Sequence, residues 1–173
     1  LETFARLVAG HAELGLGRYA AARAAYTESR DLLRSLTLRS QQVFDPISGL
    51  ARVALAEGQP GLALEEVEPM MAHMAAGGSF DGTEEPLLLP LTCWQVLHAA
   101  GDPRAADVLA AAHAELQAQV ARITDPQAQR GFLQQVPHHR EIVAAWERNR
   151  AREATASVPT PAPTASDAAR AAG

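Results

Sequence analysis

Three glycines set the rhythm of this chain. Gly17-Arg-Tyr19-Ala-Ala-Ala22 recurs as Gly58-Gln-Pro60-Gly-Leu-Ala63 and again as Gly101-Asp-Pro103-Arg-Ala-Ala106. Each copy runs from glycine to Tyr or Pro two residues on, then to alanine. The spacing is 41 residues from Gly17 to Gly58 and 43 from Gly58 to Gly101. A repeat of this length allows few architectures. It marks one supersecondary unit that cannot bury its apolar face alone and stacks on copies of itself. Such arrays usually bind proteins or relay signals, and they rarely carry out chemistry.

Helical periodicity flanks each glycine. After Gly17, the residues Tyr19, Ala22, Tyr26, Ser29, Leu33 and Leu36 step by three and four. After Gly58, Ala63, Val67, Met70 and Met74 do the same, with Pro69 predicting a kink. After Gly101 come Ala106, Leu109, His113, Leu116, Val120 and Ile123. Stripes also precede the glycines: Phe4, Leu7, His11 and Leu14; Ile47, Leu50, Ala54 and Leu55; Leu87, Leu91, Trp94 and His98. Glycine supplies the left-handed residue that ends a helix, and Pro60 and Pro103 fit the first turn of the next. The pattern predicts three antiparallel helix hairpins, at about 2–39, 45–76 and 86–123, in a domain spanning 1–153.

Asp45-Pro46 predicts an N-cap and first turn. Residues 77–86 predict a flexible acidic loop, and Pro86 and Pro90 leave the start of the fifth helix open. Asp125-Pro126 and Pro137 open two further helices, a cap over 126–153 with Ile142, Val143 and Trp146 on one edge. The expected fold is all-α, with about eight helices. Residues 154–173 are Ala, Thr, Ser and Pro without periodicity, the composition of a disordered tail.

Hydrophobic residues make up 47% of the chain but aromatics only 5%, so alanine lets helices approach closely. Net charge is −5, which argues against nucleic-acid binding. All fifteen basic residues are arginine, so the phosphate-loop, Schiff-base and kinase lysines are excluded. Cys93, the one cysteine, sits in an apolar run and reads as a small core residue. No run is long enough to span a bilayer and no signal peptide is visible. The amphipathic start at Leu1 suggests a piece of a longer cytoplasmic protein.

Gly10, Gly17, Tyr19, Ala22 and Tyr26 resemble the tetratricopeptide repeat. The second copy offers Leu50, Ala51, Gly58 and Ala63, with Val67 for the aromatic. The third offers Leu97, Gly101 and Ala106, with Trp94 at the small-residue position. Arg34, Ala75 and Ala118 stand where the family ends its second helix with proline, and the period exceeds the usual 34 residues. The resemblance implies a divergent right-handed stack of helix hairpins. From Leu97 through Ile123-Thr-Asp125 to Arg130-Gly-Phe-Leu-Gln-Gln-Val-Pro-His-His-Arg-Glu-Ile142, the chain also looks like the C-terminal end of large bacterial signalling proteins. Those carry a transcription-factor or nucleotide-cyclase effector, then an ATPase module, then a repeat array. That resemblance implies the sensor or scaffold end of a regulator. An enzyme would need a convergent set of titratable residues, and none stands at useful spacing, so no catalytic activity is expected.

Carried over by register, the concave groove of such an array is lined by His11, Arg52 and Gln95, with Leu14, Leu55 and His98 three residues further on. The expected partner is a protein or peptide, or upstream domains of the same chain, with no cofactor, nucleic acid or membrane. A small-molecule sensor is the alternative. His138-His139-Arg140-Glu141 suggests metal, but adjacent helical residues point about 100° apart and do not converge. The cluster reads instead as the polar first turn of the last helix. Asp81, Glu84 and Glu85 lack calcium-loop spacing. Glu65, Glu66 and Glu68 read as a solvated face, and His113 as a satisfied histidine facing the neighbouring helix.

Overall fold

The computed structural model describes residues 1–36 and 41–156. Eight α-helices form among them, with no strand: α1 (Glu2–Gly15), α2 (Tyr19–Ser35), α3 (Phe44–Ala56), α4 (Pro60–Ala75), α5 (Leu88–Ala100), α6 (Ala105–Ala121), α7 (Pro126–Gln135) and α8 (Pro137–Ala156). Residues 154–156 therefore continue the last helix. The remainder of the expected tail, 157–173, and residues 37–40 of the first expected hairpin lie outside the described residues.

The three repeated glycines end helices in the same way. Gly17, Gly58 and Gly101 have φ of 71°, 71° and 68°. The next amide reaches back to a carbonyl of the last turn: Arg18 to Glu13 at 2.9 Å, Gln59 to Ala54 at 2.9 Å, Asp102 to Leu97 at 2.8 Å. This geometry satisfies carbonyls that a helix end leaves without donors. Each helix of the first six packs on the next in sequence, α1 also touches α3, α3 touches α5, and α5 touches α8. The last helix also packs on α6 and α7.

Close packing between α1, α2 and α3 depends on glycine. The Tyr26 ring is fully buried between Gly10 and Gly49, and a Cβ on either would run into it. Ala22 and Ala63, five residues past their glycines, are both fully buried. Ala106 is exposed, contrary to its place in the repeat pattern. Gly101 stands eight residues past Cys93, where Gly17 and Gly58 stand seven past Gly10 and Ala51. The buried face of α6 therefore lies one residue nearer its glycine, at Leu109, Ala112 and Leu116, with Ala105 against the core. The small residue facing Ala105 is then Cys93, fully buried, and not Trp94. Gly10/Ala22, Ala51/Ala63 and Cys93/Ala105 share one separation of twelve residues. Burial pushes the Cys93 thiol up to about 12.

Two local expectations change. Asp45 does not cap α3, because a 3-10 turn over Gln41–Val43 feeds the helix and puts Asp45 inside its first turn. Its buried carboxylate accepts the Glu84 N–H at 3.2 Å. The 77–86 connection is tied down: Phe80 is buried against Phe44 and His73, and Thr83 Oγ1 donates to the Phe80 carbonyl at 2.8 Å. Pro69 lies within α4, on its exposed face. There solvent reaches the carbonyl that loses its helical donor. At the other boundary, Asp125 caps α7 by accepting from Gln127 and Ala128 N–H.

Among the described residues, no helix is long and apolar enough to cross a membrane.

Candidate functional site

A cavity of about 520 Å³ lies where α1, α3 and α5 meet the loop before α5 and the start of α8. Three of the six groove residues read from the sequence line it: His11, Arg52 and Gln95. The second row does not. Leu14 packs into the cluster around Tyr26, and Leu55 packs against the α3–α5 core. His98 borders a separate cavity of about 170 Å³, where it stacks on Trp94 at 5.4 Å. Trp94 and His98 turn toward α8, which covers that side of α5.

His11 Nδ1 lies 2.8 Å from the Tyr26 hydroxyl. Burial pushes the phenol up to about 12, and the hydroxyl meets no other acceptor among the described residues, so it donates to Nδ1. That bond fixes His11 as the tautomer with its proton on Nε2. Burial, then the charge of Arg52, lowers the His11 pKa, so the ring is neutral at pH 7. Arg52 is partly buried, and among the described residues no carboxylate approaches it within 4.0 Å.

The far wall comes from the cap and the loop. Gln95 Nε2 donates to Glu141 Oε1 at 2.6 Å, which joins α5 to α8. His138 Nδ1 stands 3.9 Å from Glu85 Oε1. Burial, with His139 and Arg52 adding to it, pushes the His138 pKa down to about 4, so at pH 7 this contact is no ion pair. His139 goes elsewhere: it is buried, with Nδ1 2.8 Å from the Phe132 carbonyl. The two adjacent histidines thus have separate partners, one in the cavity and one in the cap. Among the described residues no three His, Cys, Asp or Glu side chains are grouped to hold a metal. His113 stacks on Trp146 at 4.8 Å, away from the cavity.

Sequence reading missed the apolar rim and the acidic wall. Phe4 and Val8 line the cavity on successive turns of α1 and are 51% and 47% exposed. Their i, i+4 spacing is a usable signal, but the stripe Phe4, Leu7, His11 and Leu14 leaves Val8 out. Glu84 and Glu85 reach the cavity because Phe80 and Asp45 anchor their loop, a tertiary effect without a local signature. His138 and Glu141 stood out as a cluster but were assigned to their own helix turn. What the arrangement offers chemically is an open, charged recess with an apolar lip, suited to holding a side chain or a segment of chain. No protein-family model, curated protein or solved structure matches this chain.

Proposed function

We propose that this chain is an interaction module whose concave face binds a protein or peptide segment. On this reading it is a right-handed stack of antiparallel helix hairpins of the tetratricopeptide type, closed by a helical cap. It serves as the regulatory array of a cytoplasmic signalling or transcription regulator, and segment binding shifts the equilibrium of an attached output domain. The observation that carries the reading is the convergence of His11, Arg52 and Gln95, from α1, α3 and α5, on one cavity. The contacts of α1 with α3 and of α3 with α5 support it, as do the matching glycine turns.

Selection of a random peptide library against the full chain tests this. Enriched peptides bind the native chain and lose binding to Arg52→Glu. Absence of enrichment, or enrichment that Arg52→Glu and Gln95→Ala leave untouched, overturns the reading.

A second reading, a metabolite sensor, has the cavity volume in its favour, since about 520 Å³ falls in the range of small-ligand sites. The exposure of Phe4 and Val8 favours the open groove over a closed pocket. A thermal-shift screen with metabolites separates the two: a Tm rise that Arg52→Glu abolishes supports the sensor.

A further inference from the structure

The groove differs in character along its length. At one end the rings and branches of Phe4 and Val8 stand in solvent on α1, with buried Leu7 behind them. Phe4, Leu7 and Glu84 also border an adjoining cavity of about 200 Å³, so the apolar lip sits beside that carboxylate. Toward α8 the lining turns acidic, with Glu85 beside His138 and Glu141 beside Gln95.

Charge decides what such a lip can receive. Three glutamates face one arginine across the cavity. Among the described residues the carboxylates of Glu84 and Glu141 have no cation within 4.0 Å, and that of Glu85 has only His138, at 3.9 Å. His11 and His138 are both held neutral at pH 7 and offset none of this charge. The surplus is negative, and the chain as a whole carries −5. An acidic segment entering here meets like charge from the wall and from the molecule, whereas a basic one is drawn in.

We propose that the groove takes a partner-protein segment presenting an apolar side chain next to a basic one. The apolar side chain covers Phe4 and Val8. The basic side chain lies among Glu84, Glu85 and Glu141. Arg52, on the floor between, donates to carbonyl oxygens of the incoming backbone. This assignment rests on the segment-binding reading above and names the chemistry of the segment.

The test uses the full chain and three short, capped, fluorescent peptides read by anisotropy. One combines leucine, alanine and arginine; the second has glutamate for arginine; the third has serine for leucine. The leucine–arginine peptide binds, and the other two bind at least about tenfold more weakly. Glu84→Gln with Glu85→Gln weakens the first peptide about three- to tenfold and flattens its salt dependence. Phe4→Ser weakens it about tenfold. Because Phe4 is half exposed, the variant keeps its fold, and unchanged far-UV circular dichroism checks this. If the glutamate peptide binds as well or better and Arg52→Glu abolishes that binding, segment binding stands and the basic–apolar assignment falls. If none of the three binds and the peptide library yields no enrichment, both fall.

Discussion

Between α1 and α3 the helices are held by an aromatic ring against bare backbone; between α5 and α8 they are held by interleaved aliphatic side chains. In the first region Tyr26 fills the space that Gly10 and Gly49 leave open, and Leu50 and Val53 close around it. In the second, Leu87, Leu91, Leu116 and Ile142 form the core, with Phe132 and Leu133 at its edge. A ring wedged between two glycines fits in one register only. An aliphatic core tolerates rearrangement provided volume and patterning are kept. The repeat pattern is kept after Gly17 and slips by a residue after Gly101.

The sharpest way to break the comparison is to empty the ring's place. Tyr26→Ala should cost about 3–5 kcal/mol, the range for deleting a buried aromatic, in urea unfolding. The complementary change tests shape. Gly49→Ala should cost about 1–3 kcal/mol in the native background, because its Cβ meets the ring. In a Tyr26→Leu background most of that cost should vanish. Leu116→Met, a volume-conserving change in the aliphatic region, should cost less than about 1.5 kcal/mol. Equal costs for Gly49→Ala in both backgrounds would show that the ring does not set the register.

The register slip has its own test. Ala22→Leu and Ala63→Leu overfill buried positions and should cost about 1–3 kcal/mol each. Ala106→Leu should stay within about 0.5 kcal/mol, because Ala106 is exposed. A loss at Ala106 matching the other two would put it back in the core and remove the distinction between the regions.

How much of this could be read from the chain depends on how local each cause is. The glycine turns are local: a left-handed residue and the amide after it need only neighbouring residues, so Gly17, Gly58 and Gly101 were legible. The Gly10–Tyr26 fit was legible through family resemblance. Gly49, on the other side of the same ring, was not, because nothing in its own helix marks it. The slip at Ala106 was hidden because a glycine standing one residue later relative to the core leaves the motif letters intact and changes only which face they occupy. At the groove, repeat register located His11, Arg52 and Gln95. The acidic wall depends on Asp45 reaching Glu84 and on Phe80 entering the core, contacts between residues far apart in sequence.

A pH-dependent effect lies where the two regions meet, in acid. His138, on the α8 side, is lowered to about 4 against about 6.5 unfolded, so between those values the unfolded chain binds more protons. Its contribution is present above pH 6.5 and is lost as pH falls to 4. Asp45, on the α3 side, is raised by burial to about 6 against about 3.9 unfolded, so the folded chain takes up the proton first. It therefore adds stability as pH falls through the same window, and the two opposing terms leave the native chain with a shallow acid slope from this pair. Relative to the native chain, His138→Gln should gain stability on going from pH 7 to pH 4.5, and Asp45→Asn should lose it. Each change should be on the order of 1–2 kcal/mol, below the full linkage value because His138 borders an open cavity and Asp45 has the Glu84 N–H beside it. Urea midpoints at both pH values read the signs directly. If both variants move in the same direction, the assignment of a partly buried base to His138 and a buried acid to Asp45 is wrong.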